Sequence, residues 1–134
     1  MNAKWMLATL TAGLLLIGCA HHHDNATLQQ RLAGTWTTKD VDLKHALLSD
    51  IQLVLGRDGS YSAHYIINRP DGTEQWETLT GTWHIENGIF LENLTNGAGQ
   101  PMQSNGGSKI LKVRNNSFVI SNWNNPRRVF TRTQ

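Results

Sequence analysis

From residue 51 onward, apolar and polar positions alternate with a period of two, and turn signals interrupt them every ten or so residues. Arg57-Asp58-Gly59, Pro70-Asp71-Gly72, Glu86-Asn87-Gly88, Asn115-Asn116 and Asn124-Asn125-Pro126 are the punctuation. Between them lie short runs rich in β-branched, aromatic and threonine side chains, the composition of half-buried strands. The pattern predicts an all-β antiparallel meander. Only Thr27 to Ala33, opened by Thr27 as a cap, and part of Val41 to Leu48 read as helical, and both stretches are short.

Turn chemistry fixes register, and register fixes which side chains face inward. A three-residue loop at Pro70-Asp71-Gly72 pairs Arg69 with Thr73, which sets Ala63 against Leu79, Tyr61 against Gly81 and Tyr65 against Glu77. The same loop at Arg57-Asp58-Gly59 sets Leu55 against Tyr61, Leu53 against Ala63 and Ile51 against Tyr65. Both hairpins then share one apolar face. At Glu86-Asn87-Gly88 a three-residue loop pairs Trp83 with Leu91, and a two-residue Asn-Gly turn pairs it with Glu92; apolar continuity favours the first. A two-residue turn at Asn115-Asn116 pairs Val113 with Phe118 and Leu111 with Ile120, and a loop at Asn124 to Pro126 sets Ile120 against Phe130, Phe118 against Arg132 and Asn122 against Arg128. With Thr35 to Lys39 as a further strand, about eight antiparallel strands joined to nearest neighbours close into a small up-and-down barrel. Gly81, facing Tyr61, makes room for the ring, and Trp83 is core.

Ahead of this domain, Lys4 and the apolar run Trp5 to Ile17 read as an export signal, shorter than the roughly 20 residues that span a bilayer. The chain's one cysteine, Cys19, ends the run. The segment Leu16-Ile17-Gly18-Cys19 resembles the lipobox of bacterial lipoproteins, in which the cysteine receives diacylglycerol and the preceding residues are removed. Ala20, in place of an aspartate, resembles the outer-membrane-sorted type. The resemblance implies a signal peptide at 1–18, a lipidated tether at 19–27 and a barrel domain at 28–134, anchored to the outer membrane through Cys19 and facing the periplasm.

Removing residues 1–18 leaves 116, enough for one core. The overall formal charge of +2 hides an asymmetry, because residues 101–134 hold six basic side chains and no acid. Such a stretch suits an anionic envelope component or simply reflects basic outward positions on adjacent strands. His21, His22 and His23 read as a polar spacer, and no His, Cys or acidic spacing predicts a metal site or another cofactor. Nothing in the pattern suggests nucleic-acid binding.

Leu32-Ala33-Gly34-Thr35-Trp36, preceded by a helical turn, with Val129-Phe130-Thr131-Arg132 in the last strand, is similar to the lipocalin signature. That resemblance implies that Trp36 plugs the closed end and Arg132 lies across it, and that the opposite mouth admits a ligand. The long stretches Lys39 to Asp50 and Asn96 to Ser108 fall at that mouth, the second being expected as a mobile lid. Inward positions there are Ile51, Tyr65, Ile67, Gln75, Glu77, Asn122 and Arg128, an apolar cup with a few polar groups, as small-molecule sites usually are. Two readings stand: a membrane-anchored module binding a small apolar or amphipathic ligand, and a filled barrel in which Glu77 and Arg128 pair and the outer surface meets a protein. Ile66 and Trp76, paired on the outside, favour the second. No nucleophile, base and orienting group converge, so an enzyme is not expected.

Overall fold

The computed structural model describes residues 24–42 and 47–133. Cys19, the signal segment, the tri-histidine tract and the centre of the first long loop lie outside the described residues.

Eight antiparallel strands close into a barrel in simple chain order. They are β1 (Gly34–Asp42), β2 (Leu47–Leu55), β3 (Ser60–Asn68), β4 (Glu74–Glu86), β5 (Ile89–Gly97), β6 (Gln100–Val113), β7 (Ser117–Ser121) and β8 (Arg128–Arg132). Among the described residues, one helix, α1 (Asn25–Leu32), precedes them. Its cap is Asp24 rather than Thr27: the Asp24 carboxylate accepts from the Ala26 amide at 3.2 Å, satisfying one of the donors a helix start leaves open. Val41 and Leu48 belong to β1 and β2, not to a helix.

Asp58-Gly59 and Asp71-Gly72 behave as their chemistry predicts. Gly59 and Gly72 take φ of 85° and 83°, and the Gly56–Ser60 and Arg69–Thr73 pairs close the two loops. The expected pairs of Leu55 with Tyr61, Ala63 with Leu79 and Tyr65 with Glu77 are all present.

Three expectations need correction. Asn87 and Gly88 both adopt positive φ, 51° and 74°, forming a two-residue turn whose twist matches the strands, so Trp83 pairs with Glu92. Ala98 and Gly99 do the same at 50° and 74°, so residues 96–108 are not a lid but the ends of β5 and β6. The last two hairpins depart in part: Val113 pairs with Phe118 as expected, but a bulge at Leu111 sets Ile110 against Ile120, and the final loop pairs Phe118 with Phe130 and Ile120 with Arg128. Asn122 explains that loop's length, because its side-chain oxygen accepts from the amides of Asn124 and Asn125 at 3.1 and 2.8 Å. The slip of two residues in the last hairpin preserves which face each side chain occupies, whereas the one-residue bulge turns Leu111 outward.

Gly81 sits where the β4–β5 register slips, and a β-carbon there would lie 2.0 Å from the Asn93 carbonyl oxygen. Close approach of two backbones, rather than room for Tyr61, is what requires glycine.

The core fills the lower barrel. Trp36, Trp83, Phe118, Leu55 and Leu32 are its largest fully buried side chains, with α1 laid across the end through Leu28 and Leu32. Phe118 stacks on Phe130 at 4.6 Å and meets Trp36 edge-on at 4.7 Å, both favoured aromatic arrangements.

Candidate functional site

The floor is built around Trp36. Its indole N–H donates to the Leu32 carbonyl at 2.8 Å, one of the acceptors the end of α1 leaves open. The Arg132 guanidinium lies 4.0 Å from the Trp36 ring centroid, a cation–π contact. It also donates to the carbonyls of Asn115, Ala33 and Arg31 at 3.0, 3.1 and 2.7 Å. Gly34 makes this possible: its φ is 140°, and a β-carbon there would stand 2.3 Å from the guanidinium.

β1 and β8 share only two backbone pairs, Trp36 with Arg132 and Thr37 with Thr131. Above them the seam is held by side chains. Thr38 donates its hydroxyl to the Val129 carbonyl at 2.7 Å, and Arg128 forms an ion pair with Asp40 at 2.6 Å. Arg128 therefore pairs with Asp40, not with Glu77.

Between this seam and the core lies an enclosed polar cavity of about 60 Å³, bordered by Tyr61, Tyr65, Glu92, Ser108, Asn122 and Arg128 together with apolar core side chains that include Ile51. That volume holds about two waters and no acyl chain. Burial pushes the Glu92 carboxyl above the ordinary carboxylate range, against the opposing pull of a hydrogen bond from Tyr61 and the charge of Arg128. Burial, reinforced by Glu92, likewise raises the Tyr61 and Tyr65 phenols. The Arg128 Nε is buried without a partner.

A raised carboxyl pKa means that the folded state holds the proton more tightly than the unfolded chain. The stability this confers is complete below the unfolded value and is lost as pH rises through the folded one. Glu92→Gln is therefore expected to melt at a higher temperature than the parent at neutral pH, with the gap closing in acid, as scanned by thermal melts across pH.

A far larger recess lies on the outside of the barrel. Outward side chains of β8 and β1 to β4 border a groove of about 800 Å³, among them Thr37, Gln52, His64, Ile66, Trp76 and Val129. His64 is fixed on its floor, one ring nitrogen 3.2 Å from the Ser62 hydroxyl and the other 3.1 Å from that of Thr78. Ile66 pairs directly with Trp76, which is 70% exposed. The Lys39–Asp50 ion pair, at 3.0 Å, borders the groove as well.

The seven expected cup residues do not share one cavity. Tyr65, Asn122 and Arg128 border the interior space, Glu77 borders the outer groove, and Ile51 borders both. Ile67 and Gln75, a cross-strand pair, border neither; Gln75 accepts a hydrogen bond from Arg69. Sequence reasoning missed Asp40 and Glu92. Asp40 carries on the inward parity of Trp36, so a longer β1 would have found it; Glu92 follows from the Asn-Gly turn. Among the described residues, no group of three or more His, Cys, Asp or Glu side chains is placed to hold a metal.

The fold is a lipocalin-like barrel. The crystal structure of a lipocalin-like protein from Bacteroides uniformis superposes on it with a TM-score of 0.51, at 17% identity, covering 77% of this chain and 99% of that one. No protein-family model matches the chain, and no curated protein matches it.

Proposed function

We propose that this chain is a lipid-anchored envelope protein, held through Cys19, whose barrel binds a small amphipathic ligand on its outer face rather than within it. One contrast carries the reading: the interior offers about 60 Å³ and the outer groove about 800 Å³. Small-molecule sites are typically about 300 to 1,000 Å³, mostly apolar, with a few placed polar groups. Ile66, Trp76 and Val129 supply the apolar wall, and Thr37, Gln52 and His64 supply hydrogen-bonding groups. The ligand class this suits is a flat or branched apolar body with neutral polar substituents, stacked on Trp76. The lipobox Leu16 to Cys19 supports the anchor and an outer-membrane address.

The test is native mass spectrometry of gently purified protein, followed by thermal-shift screening against fatty acids, lysophospholipids and aromatic amphiphiles. A retained or stabilising compound is expected, since whatever binds the native state alone raises its melting temperature. Trp76→Ala is expected to weaken its binding by about 30-fold, the effect of losing an aromatic anchor. Binding that survives Trp76→Ala and disappears in Ala63→Leu would return the ligand to the barrel interior. A bare mass and no stabilisation would instead leave Ile66 and Trp76 as a protein-contact patch.

A further inference from the structure

Charge is distributed unevenly along the barrel axis. The closed end is formed by α1, the β2–β3, β4–β5 and β6–β7 turns and the end of β8. It carries Arg31, Arg57, Lys112, Arg114 and Arg132. Its acids are Asp24, Asp58 and Glu86, so basic side chains exceed acidic ones by five to three; Asp24 caps α1, Asp58 accepts from the Ser60 amide at 2.9 Å, and Glu86 stands 3.8 Å from His84. Arg31, Arg57, Lys112 and Arg114 are exposed, and none forms an ion pair with a carboxylate among the described residues. The opposite end carries Asp71 and Glu74 beside Arg69, with Arg127 in the β7–β8 loop, and its Lys39 and Arg128 are paired with Asp50 and Asp40.

The tether adds a geometric constraint. Five residue steps separate Cys19 from Asp24, and an extended chain spans at most about 3.6 Å per residue, or about 18 Å in all. Since α1 lies across the closed end, an acyl anchor on Cys19 holds that end, not the mouth, within a short reach of the bilayer.

We infer that the closed end docks electrostatically on the anionic phospholipid headgroups of the membrane that holds the anchor. Each basic side chain brought to a negative surface strengthens attachment by about fivefold, an effect confined to roughly a Debye length. The tether spans at most about two Debye lengths of about 8 to 10 Å, so it lets the basic end reach that range without swinging far from it. The mouth then points away from the bilayer, presenting Trp123, 92% exposed, and Val41, 57% exposed. This inference rests on the anchoring proposed above.

The experiment uses the full acylated chain, purified from membranes and reconstituted into vesicles of phosphatidylcholine alone or rich in phosphatidylglycerol. Hydrogen exchange is followed at the turns around Arg57 and Arg114 and, as a control, at the turn around Asp71. Exchange at the two closed-end turns is expected to slow at least fivefold on phosphatidylglycerol vesicles only, to recover in high salt, and to remain unchanged at Asp71. Arg57→Glu combined with Arg114→Glu removes the effect, and the salt arm on the parent chain decides the matter should that variant misfold. Retention on both vesicle types with equal exchange overturns the docking while leaving the anchor intact. Absence of diacylglycerol on Cys19 by mass spectrometry, with loss from both vesicle types, overturns the two together.

Discussion

Trp36→Ala is expected to destabilise the domain by about 3 to 5 kcal/mol, the range for removing a fully buried large aromatic side chain. Three contacts go at once: the bond to the Leu32 carbonyl, the edge contact with Phe118 and the platform beneath Arg132. Arg132→Ala is expected to cost about 2 to 4 kcal/mol, because hydrogen bonds to a charged donor are worth about 1.5 to 3 kcal/mol and three carbonyls lose theirs. Arg132→Lys is expected to recover little of this, since an ammonium lacks the planar fork that reaches three carbonyls on two segments, the end of α1 and the β6–β7 turn. In a double-mutant cycle followed by denaturant unfolding, Trp36 and Arg132 are expected to couple by about 1 kcal/mol or more. Additivity to within about 0.5 kcal/mol would mean that the guanidinium and indole do not act together.

The second large effect is expected at Gly81. Alanine there runs into the Asn93–Leu94 peptide, 2.0 Å from the Asn93 oxygen, 2.9 Å from its carbonyl carbon and 2.9 Å from the Leu94 Cα. None of these is the movable tip of a side chain. Overpacking costs about 1 to 3 kcal/mol, and a rigid obstacle places Gly81→Ala at or above the top of that range. A fall in melting temperature of about 10 °C is the expected readout for a domain of this size. Gly88→Ala is the control, because nothing lies within 4 Å of the added carbon and only its φ of 74° is strained. The cost there is expected at about 1 kcal/mol. Equal losses at the two positions would show that the β4–β5 slip is soft enough to reseat itself.

The fold was legible wherever turn residues and apolar alternation agreed. Asp58-Gly59 sits between strands whose inward positions are apolar on both sides, and the Asp71-Gly72 register continues that face through Ala63 with Leu79, so turn and pattern agreed. Asn87-Gly88 set them against each other. Its chemistry calls for two residues in the loop, but that register carries Glu92 inward, and the apolar criterion rejected it. The rejected acid is the carboxylate that borders the interior cavity, so the apolar rule failed where the protein buries polarity. The β5–β6 hairpin was hidden for a different reason. Residues 100–105 are exposed on both faces and, Pro101 and Met102 apart, polar, so pairing is held by backbone hydrogen bonds that leave no side-chain period to read. The outer groove was only half visible. The pairing of Ile66 with Trp76 can be counted from the Asp71-Gly72 loop, but the recess also needs β8 and β1 beside them, which is a property of closure.

That closure has a bearing on how the chain folds. Seven of the eight strand pairings join neighbours in sequence, whereas the eighth brings Ala33 and Arg132, 99 positions apart, to one hydrogen bond. Tying a loop of that length costs about 4 kcal/mol of chain entropy, which contacts along the seam must offset. Two ladder pairs give little cooperative gain along the strand itself; the compensation comes from Arg132 seated on Trp36, Thr38 on Val129 and Asp40 on Arg128. Hairpins are therefore expected to form early and locally, and the cylinder to shut late through a handful of side chains. Until that step β1 and β8 are bare edges, open to pairing with another chain. A lesion in the seam would appear first as slow maturation and self-association, with hairpins intact, rather than as wholesale loss of secondary structure.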